Sequence, residues 1–239
     1  MIEWLPEDLP PKFPATQTAL TEPNANGLLA AGGRLTPGWL YNAYKMGIFP
    51  WYDKDSPILW WSPAPRMILC PQDFRIGRSL RKALKKQSYT ITCNQAFPAV
   101  IQNCSLPREE QADTWITDEM KLAYLRMNIN GLALSAEYWD DQGELSGGLY
   151  GVLIGRVFFG ESMFSRVSNA SKITFACFAQ ALFDAGVQLI DCQMHTDHLA
   201  GFGAQEVDRN DFEHCLKANT KDCLISLPGV ISRNLNHVG

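Results

Sequence analysis

The sequence predicts an α/β protein with a small N-terminal domain, residues 1–62, and a larger domain, residues 63–239, built on a mixed sheet. Ten of the fourteen prolines lie in the first 65 residues, where long helices and central strands are disfavoured because proline fixes φ and lacks a backbone donor. Further along, three strand-like segments follow in quick succession. They lead into a strand–helix–strand unit, which forms a parallel pair by a crossover.

One short helix is expected in the N-terminal domain. Thr36 is suited to cap it, Pro37 fits its first turn, and Gly47 ends it after Met46. The remaining turns and aromatic residues indicate a small cap domain that ends near Trp61.

The larger domain begins with a more regular pattern. A helix is predicted over Arg78–Lys86 and a short strand over Tyr89–Thr92. Thr117 is expected to cap a helix over Asp118–Asn130, because a hydroxyl at this position accepts from the first-turn amides. These elements precede the main sheet-forming segments.

The main sheet is predicted from three strands and one crossover unit. The strands cover Leu132–Trp139, Leu145–Ile154 and Val157–Phe164, with turns between them. A helix over Asn169–Ala185 and a strand over Val187–Gln193 follow. This order of elements is that of acyltransferases of the N-acetyltransferase (GNAT) type, an analogy at the level of fold alone.

Composition excludes several classes of protein. The 46% hydrophobic content is that of a globular chain, and no apolar run approaches the ~20 residues of a membrane span. The N-terminus lacks the basic flank and apolar core of a secretory signal. Seven cysteines without a C-x-x-C pair indicate reduced thiols and a cytoplasmic location. The net charge of −4 argues against a general nucleic-acid coat, but leaves room for a local basic patch.

Three polar residues near two strand ends are the candidate catalytic group. Asp191 and Gln193 share one face of the last strand because side chains alternate, whereas Cys192 points away into the interior. Glu161 ends the neighbouring parallel strand, at the sheet edge where α/β proteins place ligands. The alternative is structural: Asp191 caps a loop and Gln193 satisfies the backbone.

Two other kinds of site, a zinc site and a cysteine nucleophile, could involve Cys192 with His195 and His198. The C-x-x-H-x-x-H spacing is compatible with zinc, but zinc needs a fourth ligand and none is near in the sequence. A cysteine–histidine nucleophile is also disfavoured, because a cysteine in a packed interior usually acts as a small hydrophobe. No metal is therefore expected.

A basic segment suggests a polyanionic partner. Residues 74–86 contain six cations and no acid, which is an electrostatic footprint for nucleic acid or simply a solvated helix face. Trp51 and Trp115 lie in turn-like contexts, where they stack on an unpaired base or anchor the core. The candidate contacts to a nucleic-acid backbone are Arg75, Arg78, Arg81, Lys82, Lys85 and Lys86.

Coenzyme A is disfavoured as a cofactor. N-acetyltransferases hold its pyrophosphate with a glycine-rich turn before a helix. The corresponding connection, Phe164–Ser171, contains no glycine.

Many motifs together identify a family. The sequence resembles the leucyl/phenylalanyl-tRNA–protein transferases, bacterial enzymes that add Leu or Phe to proteins with an N-terminal Lys or Arg. The matching blocks run in order over nearly the whole chain: Glu22-Pro23, residues 27–30, Gly47–Trp51, Pro57–Pro63, Thr114–Thr117, Gly147–Gly151, Phe159–Ser165, Ala170–Lys172 and Leu189–Gln193.

The resemblance implies an aminoacyltransferase with a GNAT-like catalytic domain and no cofactor. Its donor is Leu-, Phe- or, less well, Met-tRNA, and its product is marked for N-end rule degradation. Asp191 and Gln193 match catalytic residues of the family, with Gln193 held by Asp191 drawing the proton from the acceptor's α-amine. In the alternative, Asp191 or Glu161 orients that amine and the ribose hydroxyl of the donor shuttles the proton. A cytoplasmic monomer is expected.

The resemblance also assigns substrate contacts. The terminal adenosine is expected to stack near Trp51 and Trp115, with Tyr44 and Tyr124 nearby. Strand parity lets Phe158 and Glu161 serve one site only if the strand bends at Gly160. A CoA-dependent acetyltransferase and a catalytically silent tRNA-binding module remain alternatives. The apolar pocket for the donor side chain is assigned to Leu149, Phe158, Gly160, Met163 and Phe178.

Overall fold

The structure, a computed structural model, describes residues 2–107, 116–221 and 223–234. In this part of the chain the strands are β1 Glu3–Leu5, β2 Leu28–Gly32, β3 Phe49–Pro50, β4 Leu59–Trp61, β5 Arg66–Leu69, β6 Tyr89–Cys93, β7 Ala133–Trp139, β8 Leu145–Ile154, β9 Val157–Ser165, β10 Leu189–Gln193, β11 Gln205–Val207 and β12 Val230–Asn234. The α-helices are α1 Pro37–Lys45, α2 Arg78–Lys86, α3 Phe97–Cys104, α4 Asp118–Ile129, α5 Ala170–Asp184, α6 Asp197–Ala200 and α7 Arg209–Asn219. The mixed α/β class predicted from the sequence is confirmed.

Two sheets organise the fold. A four-stranded sheet of order β1-β2-β4-β3 ends at Trp61, and an eight-stranded sheet of order β11-β5-β10-β9-β8-β7-β6-β12 begins at Arg66. One hydrophobic core runs across both, since Leu40 and Trp60 belong to the same buried cluster as Phe159. The division into residues 1–62 and 63–239 stays a prediction.

The helix caps follow the sequence chemistry. The Thr36 hydroxyl accepts a hydrogen bond from the Trp39 amide at the start of α1, and Thr117 accepts from the Met120 amide at the start of α4. Each satisfies one of the amides that a first helical turn leaves without an intrahelical partner. These caps confirm the predicted starts of both helices.

Several short elements escape prediction from the sequence. The proline-rich region contributes four short strands, β1 to β4, none of which was predicted there. Strand β5 and the elements after Gln193 were likewise not predicted. Most of these strands have three to five residues, too short to show a clear alternation of apolar and polar side chains.

The crossover unit forms the predicted parallel pair and then opens. Strands β9 and β10 pair in parallel from Leu189 opposite Val157 to Asp191 opposite Phe159. The pairing ends there although β9 continues to Ser165, so the two strands separate at this edge. A cleft follows from this separation.

A bulge bends β9 at the start of the opening. On the β8 side, Tyr150 pairs with Ser162 and Gly151 pairs with Gly160, which leaves Glu161 as the extra residue. A Cβ at Gly151 would lie 2.1 Å from the Phe159 carbonyl oxygen, so the bulge requires glycine opposite it. This bulge, next to Gly160, changes the alternation of side chains in the way that Phe158 and Glu161 require to serve one site.

Within the described residues no helix is long and apolar enough to cross a lipid bilayer.

Candidate active site

The cleft between β9 and β10 brings the candidate catalytic residues together. It has a volume of about 1170 Å³, and Glu161, Asp191, Cys192 and Gln193 all contribute to its lining. Ligand sites in α/β sheets commonly lie at such a strand edge. The cleft is therefore the candidate active site.

Asp191 is locked in a buried ion pair with Arg66. The Arg66 Nε donates to Asp191 Oδ1 over 2.8 Å and its Nη2 donates to Oδ2 over 2.7 Å, with the side chains 1% and 0% exposed. The guanidinium also lies between the rings of Phe49 and Phe212, at 4.9 and 4.7 Å from their centroids. A carboxylate held on both oxygens and shielded from solvent is not available as a proton acceptor.

Asp191 holds the backbone of Gln193, not its side chain. Asp191 Oδ1 accepts from the Gln193 amide N–H over 2.9 Å. Gln193 adopts a left-handed backbone with φ of +62°, which a residue other than glycine rarely takes without stabilisation. The prediction that regular strand alternation places Gln193 on the face of Asp191 is corrected, because the strand pairing shifts register between the two residues.

The Gln193 side chain instead contacts Glu161. Its Nε2 donates to Glu161 Oε1 over 3.0 Å, while the Tyr124 hydroxyl donates to Glu161 Oε2 over 2.7 Å. Burial raises the pKa of Glu161 to about 7, although the hydroxyls of Tyr124 and Tyr44 act to lower it. Glu161 is thus a partly buried carboxyl that changes charge near neutral pH.

The structure corrects the place of Cys192. The side chain is half-buried and contributes to the cleft lining, so it does not face a fully packed interior. Burial raises the pKa of its thiol well above the usual value. Since the thiolate is the nucleophilic form, this environment does not favour a cysteine nucleophile.

The residues predicted for the apolar pocket lie in or beside the cleft, and their contact with a donor side chain stays a prediction. Leu149, Phe158, Gly160 and Met163 line the cleft. Phe178 does not; it lies behind Phe158 with ring centroids 5.1 Å apart. Its predicted direct contact with the donor is therefore corrected to support of Phe158.

The four aromatic residues predicted near adenosine separate into distinct groups. Trp51 is 38% exposed and its ring lies 5.3 Å from that of Trp61, so it stays a candidate for stacking. Trp115 lies outside the described residues. Tyr44 and Tyr124, expected close to the adenosine, are each 1% exposed, which leaves no ring face for a nucleobase, so neither is a stacking residue.

The six candidate cations for nucleic-acid contact are all exposed. Five of them lie on α2, where only Leu80 is buried. The exposure of the cations fits either predicted interpretation, a contact surface or a solvated face.

Sequence reasoning missed Arg66 and the tyrosine contact to Glu161. Arg66 follows Ser62-Pro63-Ala64-Pro65, a local context that predicts an exposed loop. Its partner is 125 positions away in the chain. Only the general rule that buried charges are paired could have suggested a partner once burial was known.

Comparison with known proteins places the chain in a family. The profile of the leucyl/phenylalanyl-tRNA protein transferase family matches residues 68–217, and that of the corresponding N-terminal domain matches residues 33–64. A leucyl/phenylalanyl-tRNA–protein transferase of Azoarcus sp. is 55% identical over 212 residues, which is 89% of this chain and 88% of that protein. One of Nitrosomonas europaea is 52% identical over 229 residues, or 96% and 93% of the two chains.

Among solved structures, L-PGS from Bacillus licheniformis gives a TM-score of 0.40 at 14% identity, covering 64% of this chain and 55% of that one. A likeness of this size does not support the predicted GNAT-type fold, and the mixed α/β class stands without it. The two profiles together, and the relatives, match most of the length of this chain. The chain therefore belongs to the leucyl/phenylalanyl-tRNA–protein transferase family.

Proposed function

We propose that the protein transfers Leu or Phe, and less well Met, from aminoacyl-tRNA to the α-amine of proteins with an N-terminal Lys or Arg. The observation that carries this proposal is one cleft that joins an apolar pocket to a polar end. Met163 and Phe158 line the first part, and Glu161 with Gln193 the second. Such a cleft suits a hydrophobic acyl donor and an amine acceptor side by side.

The donor needs positioning and little activation. The ester of an aminoacyl-tRNA is already reactive, so the reaction consumes no ATP in the enzyme. An apolar pocket selects by shape: it admits side chains that are unbranched at Cβ, such as those of Leu and Phe, and excludes those branched at Cβ, such as those of Ile and Val. On this proposal the protein acts as a cytoplasmic monomer without cofactor.

Glu161 is the proposed proton acceptor. Asp191 is held by Arg66 and an amide such as Gln193 is a poor base, whereas Glu161 titrates near neutral pH. The amine nitrogen attacks the ester carbonyl carbon, the new C–N bond forms, and the bond to the 3′ oxygen breaks. The proton leaving nitrogen passes to Glu161 and then to the 3′ oxygen, which regenerates the carboxylate.

Gln193 is proposed to orient the acceptor. Its Nε2 is committed to Glu161, which leaves its side-chain carbonyl to accept an N–H from the incoming amine. Its unusual backbone conformation sets that direction, and Asp191 holds the backbone through the amide N–H. Asp191 therefore acts here as a positioning residue.

The direct test is transfer of labelled Leu from Leu-tRNA to a reporter protein whose N-terminal residue is Arg. We expect incorporation with Leu- and Phe-tRNA and none with Ile-tRNA. A reporter identical except for an N-terminal Ala serves as the control. Absence of transfer with all charged tRNAs, despite their binding, would support the silent binding module instead.

The apolar pocket makes a first prediction. Met163→Ala should raise KM for Leu- and Phe-tRNA by about five- to 150-fold, the equivalent of roughly 1–3 kcal/mol of lost contact. Steady-state kinetics with both donors measures this. Met46→Ala is the matched control, because Met46 is exposed and does not line the cleft. Equal KM values for Met163→Ala and the unmodified protein would remove Met163 from the pocket.

The basic helix makes a second prediction. Reversing Arg78, Arg81 and Lys82 to Glu should weaken aminoacyl-tRNA binding and reduce the slope of log K against log salt by about one for each lost phosphate contact. Titrations at several salt concentrations measure the slope. The control reverses three exposed lysines elsewhere, Lys12, Lys45 and Lys217, for the same change in net charge. If both triple variants behave alike, α2 is only a solvated face.

A further inference from the structure

Two buried tyrosines form a chain of hydroxyls that ends on Glu161. Tyr44 lies on α1 and Tyr124 on α4, and their hydroxyl oxygens are 2.5 Å apart. The Tyr124 hydroxyl also lies 2.7 Å from Glu161 Oε2. A phenol has a single proton, so while Glu161 is ionised and accepts from Tyr124, Tyr44 is the donor to Tyr124. The ionised carboxylate thus sets the direction of the chain.

The surroundings of the pair are apolar. The Tyr44 ring lies 5.1 Å from that of Phe159, and the Tyr124 ring lies 5.4 Å from that of Tyr150. Phenylalanine at both positions would pack with the same rings without burying a hydroxyl, and buried hydroxyls are costly unless they are hydrogen-bonded. The hydrogen bonds that connect the two hydroxyls to the Glu161 carboxylate therefore account for tyrosine at these positions.

The polar groups that face Glu161 come from five other elements besides its own strand. Gln193 and Asp191 approach from β10 and Arg66 from β5, and Tyr150 lies on β8. Tyr44 and Tyr124 approach from α1 and α4. Burial and the Asp191 charge favour the protonated form of Glu161, whereas the two tyrosine hydroxyls and the Arg66 charge favour the ionised form.

We propose that Tyr44 and Tyr124 are positioning residues that hold the Glu161 carboxylate in a fixed direction and in its ionised, proton-accepting form. Tyr124 acts directly on Oε2, and Tyr44 acts through Tyr124 by polarising its hydroxyl and fixing its rotation. With Oε2 held by Tyr124 and Oε1 contacted by Gln193, the carboxylate keeps one orientation toward the cleft. This proposal rests on the proposed role of Glu161 as proton acceptor.

The test compares the pH dependence of single-turnover Leu transfer in Tyr124→Phe, Tyr44→Phe and the unmodified protein. Removal of the Tyr124 hydroxyl takes away a contact that lowers the pKa of Glu161, so that pKa rises and the acid limb of the profile moves to higher pH. If the pKa of Glu161 rises by about one in Tyr124→Phe, transfer near pH 6 should be about tenfold slower than in the unmodified protein. Near pH 9 the two rates should be almost equal. Tyr44→Phe should shift the limb in the same direction by less.

A control and a second measurement keep the outcomes distinct. Tyr138→Phe removes a hydroxyl from another buried tyrosine, on β7 and outside the cleft lining, and should leave the limb in place. Carbon NMR of labelled glutamate follows the Glu161 carboxyl directly, even in a variant too slow to assay. A rise in its titration midpoint in Tyr124→Phe supports the proposal.

Two contrary results have different meanings. A Tyr124→Phe variant that is slower by the same factor at every pH, with an unmoved carboxyl titration, would overturn the tyrosine proposal and leave the role of Glu161 intact. An acid limb that survives unchanged in Glu161→Gln would instead overturn the proton-acceptor assignment, whatever the tyrosine variants do.

Discussion

Replacing Glu161 by glutamine should lower kcat for Leu transfer by about a hundredfold to ten-thousandfold, with little change in the affinity for aminoacyl-tRNA. The amide is close in shape to the carboxylate and can still pair with Tyr124 and Gln193, but it cannot take the proton from the attacking amine. The expected loss is the usual contribution of a general base. It should be largest where Glu161 is ionised in the unmodified protein, at and above about pH 7.

A stability measurement separates this loss from misfolding. Since the pKa of Glu161 in the folded protein, about 7, lies above the value of about 4.3 for an unfolded chain, the unmodified protein loses stability as pH rises from about 4 to about 7. Glu161→Gln has no carboxyl group to titrate, so it does not lose stability in this pH range. The variant should therefore be relatively more stable near pH 8 than near pH 4, by urea unfolding at the two pH values.

Two results for Glu161→Gln would contradict the proposed catalytic role. Equal destabilisation at both pH values would mean that Glu161 has a structural role. A kcat within about threefold of normal would mean that positioning alone accounts for transfer, because general-base removal costs far more than that.

The local sequence was sufficient to predict the helices and strands that have a strong hydrophobic periodicity or a clear capping residue. Helices α1 and α4 begin where Thr36 and Thr117 indicate, and strand β8 covers Leu145–Ile154 as its pattern predicts. The proximity of Glu161 to Gln193 also follows from the parallel pair that the crossover helix dictates. These inferences depend on contacts near in sequence or on one topological rule.

The details of the site depend on features that the sequence does not display. The alternation rule fails at Gln193 because a left-handed residue breaks it, and nothing adjacent marks that conformation. Tyr44 and Tyr124 were placed correctly on their helices, but whether a tyrosine offers its ring to a ligand or its hydroxyl to a buried carboxyl is decided by packing between distant segments. Arg66 is the extreme case, since its burial is entirely a tertiary property.

Loss of Arg66 is expected to destabilise the fold strongly. Arg66→Met should lower the free energy of unfolding by about 3–5 kcal/mol, because it leaves the fully buried Asp191 without its counter-charge. Methionine retains much of the side-chain volume between Phe49 and Phe212, so the cost is electrostatic more than a matter of packing. Arg209→Met is the matched control. Its guanidinium is half-buried and bonds to Ser62, for which a loss of about 1–3 kcal/mol is expected.

The pairing can be isolated by a double-mutant cycle with Asp191→Asn. Asparagine keeps an oxygen for the Gln193 amide but removes the charge that Arg66 neutralises. If the two residues stabilise the protein as a pair, the double variant should be less destabilised than the sum of the single variants by about 1–3 kcal/mol, measured by urea unfolding. Transfer should also fall in both single variants, because Asp191 positions the backbone of Gln193. Additive energies would mean that Arg66 is held by its two aromatic neighbours, and that the ion pair adds nothing to the placement of Gln193.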